Sequence, residues 1–260
     1  MMTLLNVELP PAARAFDAIA DAFDHRFGAW LSVAAQRRAV RAELLRAFAV
    51  GERVLEIGGG TGDDASWLTK HGRRVFLTDA SPAMVRIASR RVEAAVVPAE
   101  RLYDLDEPAF DGAFSNFAAL NCVEDLRPVA RGLAKLIRPG GQALLVIFGT
   151  CCPGEVIVQL ARRDLRAAFR RRHLVAPARL GGQHFEVYYH RARTVVNAMD
   201  PWFRFVERRG IGICVPPSAA EPWITTHRRL LPAMTAIDRV VARPLAALGD
   251  HVLYRFERRT

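Results

Sequence analysis

Val54-Leu55-Glu56-Ile57-Gly58-Gly59-Gly60-Thr61-Gly62 is the stretch that decides the fold. Arg53 to Ile57 is a short β-type run, and glycines at 58, 60 and 62 follow it at once, ahead of a helical stretch at 63–71. Glycine lets the backbone turn sharply and lets a ligand approach with no Cβ in the way. The amides at the following helix start point toward whatever binds there. Arg74 to Thr78 is a second strand, stopped by Asp79, 17 positions after Gly62. In a doubly wound sheet the carboxyl ends of these two strands lie side by side, where ligands bind. A carboxylate there can accept both hydroxyl hydrogens of a ribose. The loop alone also fits a tight turn with an exposed Asp. Loop, strand, acid and the Ser81-Pro82 helix start together favour a nucleoside-containing ligand.

The same alternation continues outward. Strands are expected at 95–97, 111–116 and 142–148, with a helix at about 125–137 and a Pro139-Gly140-Gly141 turn. Five strands alternating with helices predict a parallel sheet covered on both faces by right-handed crossovers. Upstream, 12–27 reads as one helix with Phe16, Ile19, Ala20, Phe23 and Phe27 on one side, and 33–48 as a second. Downstream, helices are expected at 155–172, 191–199 and 221–242, an extended piece at 184–189, and strands at 202–208 and 251–258. Residues 1–11 are expected to fray.

The third glycine of a dinucleotide fingerprint would fall at Asp63, and no Gly-Lys-Ser/Thr follows as in a phosphate-binding loop. Glu56, Asp63 and Asp64 surround the loop with carboxylates that would repel a pyrophosphate and suit a ligand bearing an ammonium and a sulfonium. This favours S-adenosylmethionine over a nicotinamide or flavin dinucleotide.

Val54 to Gly62 resembles the first motif of class I, Rossmann-like S-adenosylmethionine-dependent methyltransferases. Leu77-Thr78-Asp79-Ala80-Ser81-Pro82-Ala83-Met84 resembles their second, Phe110 to Asn116 their fourth, and Leu136 to Gly141 the approach to their fifth strand. The resemblance covers residues 52–149. It implies an α/β fold with a doubly wound, seven-stranded, mostly parallel sheet, helices on both faces and the last strand antiparallel. It implies that Glu56 orients the loop, that Gly58, Gly60 and Gly62 surround the methionine part, and that Asp79 holds the ribose. Met84 would pack on the adenine, Ala99 and Glu100 would flank its edge, and Asn116 and Phe117 would lie beside the sulfonium. Pro98 stands where the family often has an Asp.

Methyl transfer is an in-line displacement that needs a nucleophile about 3 Å from the methyl carbon, and sometimes a base. Ser115-Asn116-Phe117-Ala118 is neither the Asn/Asp-Pro-Pro-Tyr of amino-directed relatives nor the Pro-Cys of RNA cytosine enzymes, so a small-molecule acceptor is favoured. Its pocket is expected from the N-terminal helices, the loop after the fourth strand and residues 150–220. The candidate polar groups are His25, Asn121, Glu155, His184, Tyr188 and Tyr189. His184 and Tyr188, in one aromatic strand, are the expected acid–base pair. Arg162, Arg166 and Arg170 at i, i+4, i+8 would line one helix face, either solvated or docking an acidic substrate or carrier protein.

The 260 residues suffice for one α/β domain, read as a helical cap at 1–50, a cofactor-binding half at 51–149 and acceptor-pocket elements with the last strands at 150–260. A net charge of +10 raises nucleic acid, an anionic membrane or an acidic partner, but the arginines are scattered and nucleic acid is not favoured. No segment reaches the roughly 20 apolar residues that span a bilayer, and no secretory pattern opens the chain, so no membrane partner and a cytoplasmic site are expected. Four cysteines without a C-x-x-C pair read as reduced thiols, and the histidines show no metal spacing, so no metal is expected. An RNA- or protein-directed methyltransferase, a nicotinamide-dependent oxidoreductase and a catalytically silent cofactor-binding regulator are the alternatives.

Overall fold

A computed structural model describes residues 9–117 and 119–260, so residues 1–8 of the start expected to fray lie outside the described residues. Three helices, α1 (Pro11–Asp17), α2 (Ala20–Phe27) and α3 (Leu31–Ala47), precede β1 (Arg53–Ile57). Then follow α4 (Asp63–Lys70), β2 (Arg74–Asp79), α5 (Pro82–Ala88), β3 (Glu93–Val96), β4 (Phe110–Ser115), α6 (Leu126–Leu136) and β5 (Ile137–Phe148). The chain continues with α7 (Pro153–Ala161), α8 (Leu165–Ala168), β6 (Val175–Leu180), β7 (Gln183–Tyr188) and α9 (Ala192–Met199). It closes with β8 (Phe203–Ile211), α10 (Glu221–Thr226), α11 (Leu231–Val241) and β9 (His251–Arg258).

Seven strands form one sheet in the order β3-β2-β1-β4-β5-β9-β8. β1 to β5 pair in parallel, and β9 runs antiparallel between β5 and β8, as the resemblance implies. Both faces are covered because the strands are apolar on both sides. On one face Leu126, Val129, Ala130, Leu133 and Leu136 of α6, at i, i+3, i+4, i+7 spacing, pack with Val195 and Met199 of α9 against Leu55, Ala113 and Leu145. On the other, Val40 and Leu44 of α3 and Leu68 of α4 pack against Val54, Leu77 and Phe114. Each such leucine contributes about 1.5–3 kcal/mol when fully buried. The strand order reverses between β1 and β4, which places a crevice at their carboxyl ends.

Several sequence expectations need correction. The helix expected over 12–27 breaks at Ala18–Ile19, between α1 and α2. The helix expected over 155–172 is not continuous either: Arg163 takes φ +60°, and Asp164 caps α8 by accepting from the Ala167 amide at 2.8 Å. Arg162, Arg166 and Arg170 therefore do not line one helix face. A helical period is blind to a single left-handed residue. Residues 175–180, assigned to no element, form β6, which pairs with β7 in a separate hairpin. The helix expected over 221–242 divides into α10 and α11, with Pro232 in the first turn of α11.

Candidate active site

The crevice is a cleft of about 1040 Å³, its open mouth included. Its floor is the loop after β1. Gly58, Gly60 and Gly62 all have positive φ, at +63°, +55° and +81°, which explains why the loop is built of glycine. At Gly58 a Cβ would also collide with the Cβ of Ala119. The Gly58 and Gly59 amides donate to the Thr78 carbonyl at 2.7 and 3.2 Å, which ties the loop to the end of β2.

Asp79 ends β2 and faces this loop. Its Oδ2 accepts from the Gly60 amide and its Oδ1 from the Ser81 amide, both at 2.9 Å. Burial raises its pKa, against the pull of the backbone amides of Ser81, Gly60 and Ala80, and Asp17 adds to the rise. Glu56 is buried at the end of β1, and its Oε2 has no hydrogen-bond partner. Burial first, then the neighbouring Asp64, holds its carboxyl well above the usual carboxylate range, opposed by Arg37.

Asp63 and Asp64, expected to repel a pyrophosphate, are neutralised from α3. Arg37 pairs with Asp63, and Arg41 binds Asp64 at 2.6 Å and Asp63 at 3.1 Å. The Asn116 side chain donates to Asp64 at 2.8 Å and accepts from the Phe117 amide at 2.8 Å. Phe117 has φ +48°, and its ring lies 4.8 Å below the Arg37 guanidinium. Arg37 Nε is buried with no hydrogen-bond partner. Glu56 is thus the acid of the loop without an arginine partner, and Arg37 Nε, 3.8 Å from Asp64 Oδ2 but without a hydrogen bond, lines the same cleft. The two arginines were missed because their pairing with Asp63 and Asp64 spans more than twenty positions and leaves no local pattern.

Of the ten expected cofactor residues, Glu56, Gly58, Gly60, Asp79, Met84, Ala99, Glu100, Asn116 and Phe117 line the cleft. Gly62 does not; it precedes α4 and packs beside Ala88. The roof comes from the N-terminal helices α1 and α2: Ala12, Ala13, Phe16 and Phe23 line the cleft. Asp17 fastens it by accepting from the Ser81 hydroxyl at 2.7 Å and the Ala83 amide at 2.8 Å, and Asp24 accepts from Thr61 at 2.5 Å and Arg91 at 2.7 Å.

The expected acceptor groups are dispersed. His184 and Tyr188 stand on β7 outside the cleft lining; His184 is exposed, and the Tyr188 hydroxyl donates to Glu186 at 2.8 Å. The opposite face of β7 carries Phe185, which packs on Phe16. His25 is exposed on α2. Asn121 donates to the Tyr188 carbonyl at 2.6 Å and accepts from the Phe148 amide at 2.8 Å, so it joins β7 to the end of β5. Glu155 is buried against Arg170 and Arg171, and Tyr189 is buried against Phe148. Cys122 does line the cleft, but burial pushes its thiol up to about 12, so it is protonated and no nucleophile.

Residues 54–141 match the family model described as "Methyltransferase domain". The chain is similar to a demethylmenaquinone methyltransferase of Clavibacter sepedonicus, 31% identical over 52% of this chain and 57% of that one. It is also similar to a malonyl-[acyl-carrier protein] O-methyltransferase of Serratia marcescens, 30% identical over 54% of each. The chain thus spans little more than half the length of these curated relatives. Its fold matches the crystal structure of an S-adenosylmethionine dependent methyltransferase from Mesorhizobium loti with a TM-score of 0.56 and 19% identity, over 86% of this chain and 98% of that one. Residues 54–141 thus match a methyltransferase domain, and the seven-stranded sheet they belong to has the fold of the solved methyltransferase.

Proposed function

We propose that the chain transfers a methyl group from S-adenosylmethionine to O, N or C of a small, largely apolar acceptor. One observation carries this reading. A single cleft holds the positive-φ glycine loop, Asp79 facing it, and two buried atoms of opposite character that make no hydrogen bond, Glu56 Oε2 and Arg37 Nε. That donor set fits a ligand bearing vicinal hydroxyls, an ammonium and a carboxylate. S-adenosylmethionine has all three, and when bound it supplies a methyl carbon on a sulfonium, open to in-line attack.

The chain's own residues bind, orient and exclude water. Asp79, aligned by two backbone amides, keeps lone pairs free for hydroxyl donors. Glu56 would take the ammonium and Arg37 the carboxylate, so that neither buried group stays unsatisfied. Gly58 and Gly60 leave room for close approach, while Met84, Ala99 and Glu100 border the place for a planar base. Asn116, fixed by Asp64, sets the inner end. Phe16, Phe23 and Phe117 supply an apolar enclosure that suits an apolar or aromatic acceptor. Among the described residues that line the cleft there is no histidine or tyrosine, so positioning carries the rate rather than a basic imidazole. The relative named for demethylmenaquinone supports a small-molecule acceptor. The relative named for a malonyl-carrier protein supports delivery by a carrier, but the arginine row expected to dock one is broken at Arg163.

Calorimetric titration with S-adenosylhomocysteine, beside NADH, tests the reading. Micromolar binding is expected, and Asp79→Ala should weaken it by tenfold or more, about 1.4 kcal/mol. Binding of NADH in place of S-adenosylhomocysteine would overturn the proposal.

A further inference from the structure

We infer that the outer face of α7, α8, α10 and α11 docks on an anionic lipid surface. The proposal is independent of the cleft. Val158 of α7, Ile224 of α10 and Leu231 and Met234 of α11 pack inward around Ala35, Val215 and Ala220, which places these helices in one layer. Their outer sides are apolar as well. Ile157 is 67% exposed, Leu165 65% and Val240 78%, and Leu160, Trp223, Leu230 and Ile237 are also bare. On α11 and the residue before it, Leu230, Ala233, Ile237 and Val240 form one exposed stripe at helical spacing.

The charge on this face is predominantly positive. Arg162, Arg163, Arg166, Arg228, Arg229 and Arg239 are exposed there. The acids of 153–172 and 218–243 are Glu155, Asp164, Glu221 and Asp238; each is engaged internally, and of the four only Asp164 is also exposed. Glu155 pairs with Arg170 and Arg171, Asp164 caps α8, Glu221 accepts from the Leu31 and Ser32 amides, and Asp238 accepts from the Cys214 and Val215 amides. What remains outside is arginine interleaved with large aliphatic side chains and one tryptophan. That is the composition of an interfacial element attracted by anionic headgroups and anchored by apolar side chains. A second copy would bring arginine against arginine. A nucleic acid offers no partner for bare isoleucine and valine. The expectation of no membrane partner was drawn from the lack of a spanning segment, and among the described residues no helix is long and apolar enough to cross. It does not address adsorption.

The test is sedimentation of the full chain with vesicles of phosphatidylcholine alone or of phosphatidylcholine with about one third phosphatidylglycerol. Co-sedimentation with the anionic vesicles only is expected, weakened about tenfold by physiological salt. Ile237→Ser with Val240→Ser, and separately Arg228→Glu with Arg229→Glu, should each weaken it about fivefold or more. Melting temperature and S-adenosylhomocysteine affinity should stay unchanged, since these side chains are exposed and outside the cleft. Failure to sediment with anionic vesicles would overturn the proposal, as would variants that sediment like the parent. Capture of a purified acyl carrier protein, or dimerisation abolished by the serine variant, with vesicles unbound, would assign the face to a protein partner instead.

Discussion

At the scale of the residue, Glu56 is the most exacting position. Burial raises its pKa, and Asp64 adds to this against Arg37. A carboxyl whose folded pKa exceeds its unfolded value stabilises the fold below the unfolded pKa, and that stability is lost as pH rises through the folded pKa. Glu56→Gln removes the loss. Thermal melts should therefore show the variant more stable than the parent above neutral pH, with the gap closing near about pH 4. The same substitution should weaken S-adenosylhomocysteine by about tenfold, because a buried hydrogen bond to a charged group contributes about 1.5–3 kcal/mol. A variant that is stabilised but binds normally would remove Glu56 from the ammonium site. Glu56 and Asp79 were legible in the sequence because each closes a strand beside the glycine loop. Arg37 and Arg41 were not, since opposite charges on separate elements announce nothing about contact.

At the scale of the element, the amphipathic pattern of α1 and α2 revealed that Phe16 and Phe23 are covered, but not by what. They face the cleft and the β6–β7 hairpin rather than the sheet. A hydrophobic stripe specifies a face, and only tertiary packing specifies its partner. The roof is held by polar ties, so it should open without global unfolding. Asp17→Ala deletes bonds to the Ser81 hydroxyl and the Ala83 amide. Stopped-flow displacement should show S-adenosylhomocysteine leaving about fivefold faster, as expected for about 1 kcal/mol, with little change in melting temperature. An unchanged off-rate would mean that the roof does not gate the cleft. The β6–β7 hairpin escaped the sequence reading in part because Pro177 lies within β6, and a proline demotes a strand pattern.

At the scale of the whole molecule, the sheet was legible because five strand–helix alternations admit few topologies. The junction between residues 150–220 and the sheet was not. It rests on Arg171, one of six arginines in 162–172 with no distinguishing neighbour in the sequence. In space it alone of them is buried, binding Glu155 at 2.5 Å, Asp250 at 2.6 Å and the Gly149 and Asp250 carbonyls at 2.9 Å. It stacks near Phe148 and Tyr189 as well. Arg171→Ala would leave the buried Asp250 without its arginine and Glu155 with Arg170 alone, at about 3–5 kcal/mol. Urea unfolding should show one cooperative transition in the parent and the same transition at much lower denaturant in the variant. Two transitions would divide the chain into separate folding units.

β9 lies between β5 and β8 although it follows both in the chain. During synthesis β5 has an open edge and β8 no partner strand until β9 arrives, about a hundred residues after β5 and about forty after β8. The nascent chain carries two templates for foreign strands through that interval. Translation speed over residues 212–250 and the supply of chaperones would then govern how much of this protein a cell recovers, independently of the stability of the finished fold.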